Sequence, residues 1–209
     1  MQDYTPPKKY RPTPSDYVKS GLFSLLLIGC YHLITWILYT FLLTTLENQM
    51  IGDEHEPEFR LVMFGFSFIT LVALAAVSFV CYLKNGNRKR AYLTATSLEV
   101  RGDKDGAMDG RRAYRKAAFY ETLLSLGITA VVWLPSACFY GYAMATSGMG
   151  YGYGEAWFIE SFFVGAVGLY QLFQSSLLGV LLGLAFLGLT GYFGRLYAHA
   201  SWEKNRIRP

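Results

Sequence analysis

Charge is scarce in this chain. Only 16% of its 209 residues are Asp, Glu, Lys or Arg, where soluble chains carry roughly 25%. Cysteine is scarce too. The three present, Cys30, Cys81 and Cys138, all lie inside apolar blocks and never in a C-x-x-C spacing. An odd number so placed gives neither a disulfide framework nor a zinc site, and each reads as a small apolar residue. No nucleophile has a base at a recognisable spacing, and Ser136 and Cys138 lack one. No catalytic residue, cofactor or metal is therefore assigned, and the reading leans away from an enzyme.

Two acidic stretches resemble ion sites and fail on inspection. Asp53-Glu54-His55-Glu56-Pro57-Glu58 lacks the second histidine of the zinc-protease helix, and Pro57 interrupts it. It reads as a solvated loop. Asp103-Lys104-Asp105-Gly106-Ala107-Met108-Asp109-Gly110 has Ala107 at its fifth position and Tyr114 at its twelfth, so it is no EF-hand. It reads as a turn.

Long apolar runs are what the chain does have. Hydrophobic residues make up 53% of it. Gly21 to Leu46 is a run of twenty-six residues without a formal charge, roughly 39 Å as a helix and enough to cross a ~30 Å hydrocarbon core. The run is too long for the h-region of a cleavable signal, so it is expected to remain as an anchor. Leu61 to Leu83 is a second uncharged block. The pattern predicts an all-α integral membrane protein, a four-transmembrane-helix bundle. Its segments are a Pro-rich basic tail (1–19), TM1 (20–46), an acidic outer loop (47–60), TM2 (61–83) and a basic cytoplasmic loop (84–116). After these come TM3 (117–146), TM4 (174–197) and a basic tail (198–209). The 84–116 loop fits a short hairpin or an interfacial helix, and Pro135 predicts a kink in TM3. Between TM3 and TM4, residues 147–173 form a Gly/Tyr-rich loop with an additional outer-surface or re-entrant helix.

Orientation follows from where the charges fall. Eighteen of the nineteen Lys and Arg residues lie in the N-tail, the 84–116 loop and the C-terminal end, while Arg60 alone lies on the other side. Positive charge in short loops stays inside, so both termini are expected in the cytoplasm, and a bacterial plasma membrane fits. Tyr197 and Trp202 would mark the inner interface. Basic clusters such as Arg88-Lys89-Arg90 would meet anionic head groups of the bilayer, and no motif supports nucleic-acid binding.

Few polar residues sit at costly depths. His32 is eleven residues into TM1, near the midplane, where ionisable groups face a bundle interior or a wet cavity. A neutral imidazole bonded to a neighbouring helix is its bland reading. Glu121, just inside TM3, would snorkel inward beside Arg115 and Lys116. Gln171 and Gln174 interrupt the last apolar stretch, where they line an opening or satisfy backbone freed by a bend. Gly179, Gly183, Gly188 and Gly191 let helix backbones approach closely, within the bundle before between copies. Together these features favour a non-enzymatic accessory or assembly subunit, with a membrane-protein partner or self-association. The alternative is a small transporter or channel using His32 and the Gln171/Gln174 region.

The orientation is tested by single cysteines placed in a background where the three native ones are alanine. A membrane-impermeant maleimide is expected to label Asp53→Cys on intact cells and Lys104→Cys only after permeabilisation. The reverse pattern would invert the topology.

Overall fold

The computed structural model describes residues 12–46, 56–97, 103–147 and 176–207. Among them are five α-helices and no strand: α1 (Pro14–Leu46), α2 (Glu56–Lys84), α3 (Gly86–Thr96), α4 (Lys104–Ser147) and α5 (Ser176–Ile207). All but α3 hold a stretch long and apolar enough to cross a membrane, namely Pro14–Phe41, Phe64–Lys84, Lys104–Pro135 and Leu178–Asn205. Gln171 and Gln174, with the extra helix expected before the last span, lie outside the described residues.

Helix ends fall where capping chemistry puts them. Within the segment read as a cationic tail, Thr13 starts α1. Its backbone N–H and hydroxyl both donate to Asp16 Oδ2 at 2.8 Å, the carboxylate half of a capping box, with Pro14 at the first helical position, where its missing N–H costs nothing. Asn85 ends α2 and opens α3, its Oδ1 accepting from the Arg88 N–H at 3.1 Å. Of the two readings of the basic loop, hairpin or helix, the structure has the helix. Tyr92, Ala95 and Thr96 are its buried face, a spacing that turns three side chains to one side.

The stretch read as a turn at Asp103–Gly110 is instead the start of α4. Asp103 accepts from the Gly106 N–H at 2.8 Å, so a carboxylate satisfies an orphan donor of the first turn and the helix begins there. α4 then continues through Pro135 to Ser147. At the other end of the chain α5 runs on to Ile207, because Ala198 and Trp202 are buried against Tyr92, Ala95 and Tyr114.

α4 and α5 form the most extensive pair, α1 lies against α4 and α2 against α5, while α1 and α2 barely meet. Two cores result. One joins Ile28, Tyr31, Leu71, Leu74, Trp133 and Val180. The other, aromatic, gathers Tyr92, Ala95, Tyr114, Ala198 and Trp202 where α3 docks. Trp202, expected as an interfacial marker, is only 2% exposed. Its indole N–H donates to the Leu83 carbonyl at 3.1 Å, one of the orphan acceptors at the end of α2.

At Gly110, α3 and α4 approach closely. A Cβ there would stand 2.9 Å from the Ala95 carbonyl oxygen and 3.2 Å from the Ala95 Cβ. Gly127 has nothing within 4 Å of the same point. Gly110→Val is therefore expected to destabilise the fold by about 1–3 kcal/mol through overpacking, whereas Gly127→Ala leaves or raises stability. Thermal unfolding in mild detergent measures both, and an unchanged melting point for Gly110→Val would show that α3 is not held this way.

Candidate functional site

Glu121 is 1% exposed in the middle of α4, and a carboxylate so buried needs compensating charge. Two arginines supply it. The Arg88 guanidinium on α3 donates to Glu121 Oε1. From α5, Arg195 Nε faces Glu121 Oε2 at 3.7 Å, an ion pair too long for a hydrogen bond. Neither of those last two atoms has a hydrogen-bond partner among the described residues. Arg195 is anchored by its Nη1, which donates to Thr122 Oγ1 at 3.0 Å and to the Gly191 carbonyl at 3.1 Å.

Tyr82, in the last turn of α2, serves both cations. Its ring centroid lies 5.5 Å from the Arg88 Cζ and 5.4 Å from the Arg195 Cζ, within cation–π range. Its hydroxyl meets His199 Nε2 at 2.8 Å. The His199 ring in turn stacks on Tyr92, centroids 4.5 Å apart. Tyr92 donates to Glu203 Oε1 at 2.7 Å, and Arg111 Nε donates to the same oxygen at 3.0 Å. Burial opposes the Arg88 charge, but the hydrogen bond and charge of Glu121 more than offset this and hold its pKa above the ordinary arginine value. Burial, then the hydrogen bond to Glu203, pushes the Tyr92 phenol upward as well.

A cavity of about 300 Å³ opens beside this network, with Asp16 and Lys19 of α1, Asn85, Arg88, Glu121 and Arg195 in its wall. A second, of about 40 Å³, shares Ser78 and Arg195 with it and is lined by Ser24, Thr122, Ser125 and Thr190 among aliphatic side chains. The site is thus a set of buried donors around one carboxylate, arranged to hold charge.

Glu121 does not snorkel toward Arg115 and Lys116. Its carboxylate is buried against Arg88 and Arg195, and Arg115 and Lys116, six and five positions before it, are not its neighbours on the helix face. His32 is elsewhere, 3% exposed in the apolar core. The Trp133 indole N–H donates to its Nε2 at 3.1 Å, which assigns the proton of a neutral ring to Nδ1. Gly179 and Gly183 are buried. A Cβ at Gly188 would meet Leu126 at 3.0 Å, and one at Gly191 would meet Arg195 at 3.1 Å and Thr122 at 3.7 Å. At least two of the α5 glycines are therefore used inside the bundle. Sequence reasoning missed Arg88, Arg195, Tyr82 and His199. The available signal was Arg195 itself, a cation in the otherwise uncharged stretch 176–202, which ordinarily implies a buried opposite charge.

Compared with known protein families, characterised proteins and solved structures, the chain matches none of them. The site therefore has to be interpreted from its own chemistry.

Glu121→Gln leaves two guanidiniums facing each other without a counter-charge. Breaking a buried pair in this way is expected to cost about 3–5 kcal/mol, read as a lower melting temperature in mild detergent. Arg88→Gln in the same chain should recover part of the loss. A Glu121→Gln protein that melts like the parent would show that the network contributes nothing to stability.

Proposed function

We propose that this is an integral membrane protein with four spans and both termini in the cytoplasm of a bacterial plasma membrane, acting by association rather than catalysis. Its role is that of an accessory or assembly subunit, or of a homo-oligomer. Membrane placement is supported by the outward side chains of the long helices. Leu22, Leu26, Ile37 and Phe41 of α1, Ile69 of α2, Val131 of α4 and Leu189 of α5 are each more than half exposed, a liability in water and an ordinary surface in hydrocarbon. Residues 147–173 complete the proposal as an outer-surface or re-entrant segment between the last two spans. In this orientation the Arg88–Glu121–Arg195 network lies toward the cytoplasmic side.

The observation that carries the association reading is the outward face of α2. Ala73, Ala76, Val77 and Val80 are all exposed and recur at helical spacing along one side. Small residues on a lipid-facing stripe allow another helix to approach closely, which drives association where no hydrophobic difference separates helix from lipid. The α5 glycines do not compete for this role, because Gly188 and Gly191 lie against α4. The transporter alternative draws less support, since His32 is closed in among apolar side chains by Trp133.

Native mass spectrometry after gentle extraction from the membrane tests the proposal. A co-purifying subunit or a discrete homo-oligomer is expected, and Ala73→Phe with Ala76→Phe should release it without unfolding the protein. A clean monomer from the parent chain would remove the association reading.

A further inference from the structure

The charge network is one negative charge short. Arg88 and Arg195 share the single carboxylate of Glu121, and the added pair in the cavity wall, Lys19 and Asp16, brings one charge of each sign. Asp16 is also committed locally, accepting from the Thr13 N–H and hydroxyl. The wall thus holds three cations against two carboxylates. An excess charge among buried groups is costly unless an opposite charge meets it. Arg195 is 9% exposed, and its Nε has no hydrogen-bond partner among the described residues. Arg88 turns one N–H to Glu121, while a guanidinium carries five.

The space beside them fits an occupant. At about 300 Å³, the cavity is at the lower end of the range for small-ligand pockets. Its wall mixes guanidinium forks, the Lys19 ammonium and the Asn85 amide, the donor set that recognises phosphate oxygens. Lys19, near the start of α1, and Asn85, at the α2–α3 corner, are exposed members of its wall, and a ligand entering between them would meet the guanidiniums behind.

The geometry points to this cavity as a binding site for a singly charged phosphate ester, with Arg88 and Lys19 gripping the phosphate and Arg195 supplying buried positive charge behind it. One bound negative charge would balance the wall. The same chemistry is offered by the head group of an anionic glycerophospholipid and by a small soluble phosphate. In the proposed orientation Lys19 and Asn85 lie toward the inner leaflet, which brings a phospholipid head group within reach. The site itself depends only on the cavity, not on whether the protein associates with others.

The test uses the full-length protein, delipidated in a non-ionic detergent. Retention of dioleoylphosphatidylglycerol against dioleoylphosphatidylcholine is followed by native mass spectrometry, and the thermal shift produced by inorganic phosphate is measured in parallel. The anionic lipid is expected to be held about tenfold better than the zwitterionic one. Lys19→Gln should reduce that preference about fivefold, Arg88→Gln should abolish it, and Lys204→Gln, an exposed cation outside the cavity, should leave it unchanged. Should Arg88→Gln fail to fold, Lys19→Gln decides alone, because Lys19 is exposed and outside the ion-pair network. A phosphate-induced thermal shift lost in Lys19→Gln, without lipid preference, would keep the site and name a soluble ligand. Equal retention of both lipids with no phosphate shift, or an equal loss in Lys204→Gln, would overturn the proposal.

Discussion

A carboxylate buried in the middle of α4 constrains much of this fold. Glu121 cannot remain charged there without cations brought to it, and neither comes from its own helix. Arg88 arrives on α3 and Arg195 on α5, so three helices must converge at one depth. That requirement gives α3 its place. A short hydrophilic helix has little apolar surface with which to hold itself against a bundle. This one is fixed along a single face, where Arg88, Tyr92, Ala95 and Thr96 follow one another at helical spacing. Gly110 lets it close on α4.

Around the charges, aromatic rings cover the guanidiniums and take up several of the neighbouring polar atoms. Tyr82 presents its face to both guanidiniums and its hydroxyl to His199, while Trp202 caps the exposed carbonyl of Leu83. Glu203, shared by Tyr92 and Arg111, ties the last turns of α5 to α3 and α4. The opposite core is built differently. There the Trp133–His32 and Tyr31–Thr70 hydrogen bonds sit among apolar side chains, and α1 is held to α4 without any buried ion pair among the described residues. One end of the bundle is stiffened by charge and the other by packing.

This division explains what could be read from the sequence. Apolar runs announced the four long helices because their signal is local and continuous. The bland reading of His32, a bond to a neighbouring helix, required only that a buried imidazole find a partner. The glycine row in α5 suggested close backbone approach, and Leu126 is what approaches Gly188. The charge network was not legible, because it is a non-local fact. Arg88 lies 33 residues from Glu121, in a basic segment whose charges read as contacts to lipid head groups. Arg115 and Lys116, nearby in sequence, suggested a cheaper explanation, snorkelling to the interface, that the burial of Glu121 between Arg88 and Arg195 replaces. The start of α4 was hidden for a related reason. Asp103 and Gly106 resemble a turn until the carboxylate is seen to cap a helix.

The same network bears on how the charge distribution should be weighed. Arg88 and Arg195 are among the basic residues counted as facing inward, yet both are substantially buried and paired. Their positive charge belongs to the fold as much as to the membrane surface. Setting them aside still leaves sixteen Lys and Arg residues on the proposed inner side against Arg60 on the other, so the orientation argument does not depend on them. What changes is their interpretation. Solvated surface cations serve topology by number, whereas these two act by position, because each must reach Glu121 from a separate helix. A substitution of Lys for Arg at either place would conserve the count and lose the planar fork that a shared carboxylate requires.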